Sequence, residues 1–201
     1  MDCRITWIAA DGTVLYDTVM VRENADINAV RAEAAVFGQL YKGSWKAQMY
    51  NYYSERGLPG YVARNVYAHE QRQWDNNFFV QASFNKQVLS FYELLLKAKY
   101  AYDYTRYLNP DTVSQYIDHT YKQQETYISL ANAFELYRWW KVGVSADFQW
   151  NYLGADLEKF AYPTRLTGLV SVATDFKWDF LKLQAALLGT FVNESVKNGV
   201  A

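Results

Sequence analysis

From Trp140 onward, apolar and polar residues alternate one by one. Trp140, Val142, Val144, Ala146, Phe148, Trp150 and Tyr152 fill one set of positions; Lys141, Gly143, Ser145, Asp147, Gln149 and Asn151 fill the other. Side chains of a strand point to opposite faces with period two, so residues 140–152 predict a strand with one apolar wall and one wet wall. The apolar wall begins and ends in aromatics, as in a strand that crosses a bilayer and anchors at both interfaces.

The same pattern returns along the chain. In 74–86, Trp74, Phe78, Val80, Ala82 and Phe84 oppose Asp75, Asn77, Gln81, Ser83 and Asn85. In 92–105, Leu94, Leu96, Ala98, Tyr100, Tyr102 and Tyr104 oppose Glu93, Lys97, Lys99, Asp103 and Thr105. Strands are also expected at 45–54, 121–136, 165–177 and 181–192. Residues 27–40 fit two readings. Ile27, Val30, Ala34 and Phe37 form a helical stripe, whereas Val30, Ala32, Ala34, Val36, Gly38 and Leu40 form a strand face. The strand is preferred because Lys42-Gly43 then turns directly into the next one. Residues 1–27 are poorly defined, with a hairpin expected at Asp11-Gly12.

Connection lengths carry separate information. Turns near residues 42, 88, 138 and 179 are short, and loops near 64, 113 and 158 are long. Aromatics flank the short turns: Tyr41, Trp45, Phe91, Tyr92, Tyr137, Trp139, Trp140, Trp178 and Phe180. A second girdle is expected from Trp74, Tyr104, Tyr121, Trp150 and Tyr152. The pattern predicts an all-β fold, an antiparallel transmembrane β-barrel segment of about eight strands with short periplasmic turns and long extracellular loops. A soluble β-sandwich or lipocalin-like barrel with an aromatic core is the competing architecture.

Composition sharpens this. The 201 residues are 51% hydrophobic, yet mean hydropathy is −0.28, because apolar residues alternate with polar ones. No apolar run approaches the roughly 20 residues of a membrane helix. The net charge of −1 gives no reason to expect nucleic acid as a partner. A single cysteine, Cys3, leaves no disulfide framework. The Met-Asp-Cys-Arg-Ile-Thr start lacks the regions of a signal peptide, so an outer-membrane protein is expected to be a longer precursor than this sequence.

Three segments carry a resemblance: Ser54-Glu55-Arg56-Gly57-Leu58-Pro59-Gly60, closing into Arg72-Gln73-Trp74-Asp75-Asn76-Asn77-Phe78-Phe79-Val80; Lys99–Tyr107; and Ala146–Asn151. Over residues 28–195 the chain resembles the barrel of TonB-dependent outer-membrane receptors, in particular the cobalamin- and siderophore-receptor-like members of Bacteroidetes-type bacteria. The resemblance implies a middle slice of a barrel of about 22 strands. Residues 1–27 and a truncated tail, 196–201, flank that slice; no plug, energy-coupling box or aromatic-terminated last strand is recognisable. It further implies a Gram-negative outer-membrane location and lipid contact. The implied partners are a missing plug domain and remaining strands, an inner-membrane energy-coupling complex acting through the plug, and a small nutrient ligand such as cobalamin, a siderophore or a glycan. A self-contained small outer-membrane barrel with a structural or adhesion role is the alternative, with a soluble ligand-binding barrel behind it.

Candidate chemistry is sparse. In the motif, Gly57 and Gly60 permit positive φ and Pro59 fixes a turn, while Glu55 and Arg56 are able to pair with neighbouring loops or to meet a ligand. Tyr61, Tyr67, Tyr107 and Tyr116 are the loop aromatics able to stack on a flat ligand. His69-Glu70-Gln71-Arg72-Gln73 has glutamine where a zinc-protease helix needs its second histidine. Nothing sets Ser114 or Ser129 beside His69 or His119. No enzyme activity, metal or cofactor is expected.

Overall fold

The computed structural model describes residues 2–21, 23–59, 62–63, 66–67, 71–111 and 116–197. Twelve strands and no helix lie among them. A hairpin of β1 (Asp2–Ile8) and β2 (Val14–Val21) comes first. The main sheet contains β3 (Ile27–Leu40), β4 (Gly43–Gly57), β7 (Arg72–Leu89), β8 (Tyr92–Asn109), β9 (Ile117–Tyr137), β10 (Trp140–Ala155), β11 (Thr164–Lys177) and β12 (Lys182–Ser195). Between β4 and β7, the two-residue strands β5 (Val62–Ala63) and β6 (Val66–Tyr67) pair with each other.

The eight long strands form one antiparallel meander, in the order β12-β11-β10-β9-β8-β7-β4-β3. The expected number and order of strands are therefore found, and residues 27–40 are a strand. The sheet is open. Among the described residues β3 and β12 are both edges, each paired on one side only.

Several boundaries differ from expectation. Glu55–Gly57 and Arg72–Gln73, read as loop, are strand, and β9 begins at Ile117 instead of 121. Their polar composition hid continuing ladders. The first hairpin closes through residues 9–13, where Gly12 takes φ 86° and its amide donates to the Ala9 carbonyl at 2.9 Å. The turn after β3 is made by Tyr41 and Lys42, at φ 51° and 61°. Gly43 is already the first residue of β4, opposite Leu40. Two successive positive φ values give the mirror-image turn whose twist suits a two-residue hairpin.

Register carries the alternation across the whole sheet. Directly opposed residues share a face. Ala146 faces Leu130 and Val170, and Leu130 faces Leu96, which faces Phe84, which faces Trp45. Every residue in that row belongs to the apolar set. The row Lys46, Ser83, Lys97, Ser129, Asp147 lies on the other face. Tyr121 is the exception among the expected girdle residues. It pairs with Thr105 and Ala155, on the polar face, because its odd position in β9 sets it opposite to Ile128.

Burial is inverted relative to a soluble domain. Val144 and Phe148 are 37% and 45% exposed, while Ser145, Asp147 and Gln149 between them are half-buried. Side chains are more crowded on the polar face of β10 than on its apolar one, the asymmetry a sheet curved toward its polar face produces. Ser54, Asp75, Asn109 and Ser129 are buried, and the buried hydrophobic residues are Ala101 and Ala155. The accessible surface is 14591 Å², against roughly 9,700 Å² for a compact monomer of this mass. Among the described residues no second layer covers the apolar face of the sheet.

Candidate functional site

Short turns lie on one rim of the sheet and long connections on the other, because consecutive strands run up and down. At the long-connection rim the Ser54–Gly60 motif acquires its geometry. Ser54 and Arg56 point to the polar face of β4 and meet Asp75 of β7. The Asp75 carboxylate pairs with the Arg56 guanidinium. It also accepts from Gln73 Nε2 at 2.9 and 3.0 Å, from Thr105 Oγ1 at 3.0 Å, and from Ser54 Oγ at 3.5 Å. One carboxylate thus ties β4, β7 and β8 together. A buried charge is tolerated only when it is paired and hydrogen-bonded, and this arrangement meets both conditions. Ser54 is 0% exposed.

Glu55 takes the opposite face and pairs with Arg72 Nη1 at 3.1 Å, which also reaches Asp26 at 2.9 Å. Gly57 is needed for close approach, not for positive φ. Its amide donates to the Asp26 carbonyl at 2.9 Å, and a Cβ there would meet the Asn24 carbonyl oxygen at 2.5 Å. Asn24 Nδ2 in turn donates to the Gln71 carbonyl at 2.8 Å, and the Leu58 amide donates to the same carbonyl at 2.9 Å. The motif is a clasp between the approach to β3 and the β4–β7 pair. Pro59 is half-buried beside it; Gly60 lies outside the described residues.

Of the four candidate tyrosines, the structure describes the side chains of Tyr107 and Tyr116. Tyr107 sits on the polar face of β8 opposite Gln73 and His119. Tyr116 is exposed just before β9. Tyr67 ends β6, and Tyr61 lies outside the described residues, as do His69 and Ser114. His119 belongs to β9, not to a loop, with Nδ1 3.5 Å from Asp156.

Sequence reasoning missed a ladder across the polar face. The Arg31 guanidinium lies 5.2 Å from the Tyr50 ring centroid, and Tyr50 stacks on Phe79 at 5.0 Å. Lys99 Nζ lies 6.0 Å from the Phe79 ring and 2.9 Å from Glu125, which accepts from Gln149 at 3.3 Å. Six strands, β3, β4 and β7–β10, are linked this way. Both ring faces are occupied, so Tyr50 and Phe79 are wall rather than stacking platform. The signal was present as aromatics at polar-face positions.

Two concavities open on the polar face. One, of about 370 Å³, is lined by Gln123, Gln149, Asn151, Thr167, Arg165 and Glu194, near the long-connection rim. Its amides and hydroxyl suit neutral hydrogen-bonding ligands, since the Arg165 guanidinium is already paired with Glu194. The other, of about 380 Å³, lies deeper along β4, β7 and β8 and includes Lys46, Lys97 and Lys99.

Comparison with known proteins adds nothing to this geometry: no family model and no curated protein matches the chain.

Proposed function

We propose that the chain is part of the wall of a TonB-dependent outer-membrane receptor for energy-coupled uptake of a nutrient, cobalamin, siderophore or glycan. The observation that carries the membrane part of this reading is the inverted burial: an exposed apolar face on one side of the sheet and a charged, hydrogen-bonded, more buried face on the other. Water disfavours such an apolar expanse and lipid favours it. Dimensions agree. Trp140 to Trp150 is ten residue steps, about 33 Å of strand, which a tilt of about 40° reduces to about the 25 Å of an outer-membrane apolar band.

The rims support the same orientation. Tyr137, Trp139, Trp140, Phe176 and Trp178 stack into one aromatic cluster at the short-turn rim, with centroid separations of 5.2 to 6.3 Å. Trp150 and Tyr152 stack at the other. Amphipathic rings favour the headgroup level. The edges favour a larger barrel. In lipid each unsatisfied backbone group costs several kcal/mol, so β3 and β12 require further strands. A self-contained eight-stranded barrel would need β3 to pair with β12, and a soluble barrel would need its aromatic face turned inward.

The nutrient role rests on the resemblance of the Ser54–Gly60 and Lys99–Tyr107 segments. Labelled cobalamin, a ferric siderophore and a glycan, offered in turn to source cells, test it. Uptake of one of them is expected to fall on gene disruption and on collapse of the proton gradient. Uptake of all three unchanged by disruption would contradict the nutrient role.

A further inference from the structure

Most charges on the polar face are spoken for. Arg31 pairs with Glu33, Arg56 with Asp75, Lys99 with Glu125, Lys141 with Glu135 and Arg165 with Glu194. Asp103 accepts from Asn77, Asp147 from the Tyr127 hydroxyl and Glu93 from Asn85. Within the middle of the wall, Lys46 and Lys97 alone have no partner among the described residues.

These two lysines are also placed together. Both stand opposite Ser83, one from β4 and one from β8. Two strand spacings put their backbones roughly 10 Å apart, with a short hydroxyl side chain between them. The 380 Å³ concavity opens there, bordered by Gln48 and Gln81 in addition to Lys99, and no carboxylate lines it. The nearest carboxylate in the same row, Asp147, stands beyond Lys97 across Ser129 and already accepts from Tyr127. On the Ser83 side the two ammonium groups face each other with no carboxylate between them, and an anion there relieves their repulsion. The amides and hydroxyl supply neutral donors to the same oxygens.

We propose that this concavity is a binding site for a small solute carrying two or more oxyanion groups, with Lys46 and Lys97 each holding one and Ser83, Gln48 and Gln81 completing the contacts. The proposal deepens the uptake reading, on which its role in transport rests, by naming a chemical class for what passes along the wall. Ammonium groups act as point charges, so phosphate and carboxylate share the chemistry.

Calorimetric titration of the protein, extracted in mild detergent from the cells that make it, tests the site with pyrophosphate and with tricarballylate. At low ionic strength at least one of them is expected to bind, and the stronger identifies the oxyanion class. Lys46→Gln and Lys97→Gln are each expected to weaken binding about tenfold. Lys46→Arg is expected to retain most of it. Lys86→Gln, on the apolar face, is expected to change nothing. Binding by neither compound, or undiminished binding in both glutamine variants, would overturn the proposal. Membrane location is scored separately by fractionation, so failure of this site and failure of the membrane reading give different results.

Discussion

Trp140 and Phe176 stand directly opposite each other on β10 and β11, with ring centroids 5.4 Å apart and planes 11° from parallel. Trp140 Nε1 also donates to Thr174 Oγ1 at 2.9 Å. Its removal takes away a stacked pair and a hydrogen bond at the rim of the apolar face. Trp140→Ala is expected to cost about 2 kcal/mol in denaturant unfolding from lipid vesicles. Trp140→Phe, which keeps the stack, is expected to cost about half as much.

Asp75 gathers four donors from three strands, so its loss leaves Arg56 without its carboxylate at a site where Ser54 is fully buried. Asp75→Ala is expected to destabilise the long-connection rim by about 2 kcal/mol, and Thr105→Val by about 1 kcal/mol. Hydrogen exchange at the ends of β4, β7 and β8 measures both. The exchange increase is expected to stay at that rim and not reach Trp45 or Phe84.

The turn after β3 uses two residues, Tyr41 and Lys42, in a backbone conformation that side chains disfavour. Tyr41→Asn with Lys42→Gly supplies the residues this turn type prefers. The double variant is expected to be more stable by about 1 kcal/mol, read as a shift in unfolding midpoint.

The first hairpin is expected to lose stability in acid. Two hydrogen bonds from Arg4, at 2.8 and 2.5 Å, hold the Asp17 carboxyl below the ordinary carboxylate value of 3.8. Donation from the Thr13 amide does the same for Asp11. A depressed folded-state value means that the contribution is present above about pH 4 and disappears as pH falls through that lower value. Amide protection in β1 and β2, taken relative to the intrinsic exchange rate at each pH, is expected to fall on acidification below about pH 4. The fall is expected to be smaller in Asp17→Asn.

Alternation made the sheet legible in the sequence, because period two survives whatever the neighbouring strand happens to be. Val30, Ala32, Ala34 and Val36 in β3 show this even with helix-favouring alanines. The rim was harder to read. Glu55 and Arg56 look like loop by composition, yet they extend the period of Ser54 and the strand before it toward Asp75 and Arg72, residues that only strand pairing brings near. The Asn24–Gly57 contact left no local trace at all, since a close approach between segments 33 positions apart follows from the chain path, not from periodicity. Tyr121 has the aromatic identity of a girdle residue but the parity of the polar face. The lysine pair across Ser83 needed the register of three strands before it could be seen.

The account turns on whether the apolar face lies in an outer membrane as part of a larger barrel. Immunoblotting of fractionated source cells with antibody to residues 55–73 tests this most directly. The account predicts a band several times larger than the 23.4 kDa of this chain, confined to the outer membrane. A band of that smaller size in the soluble fraction would contradict it.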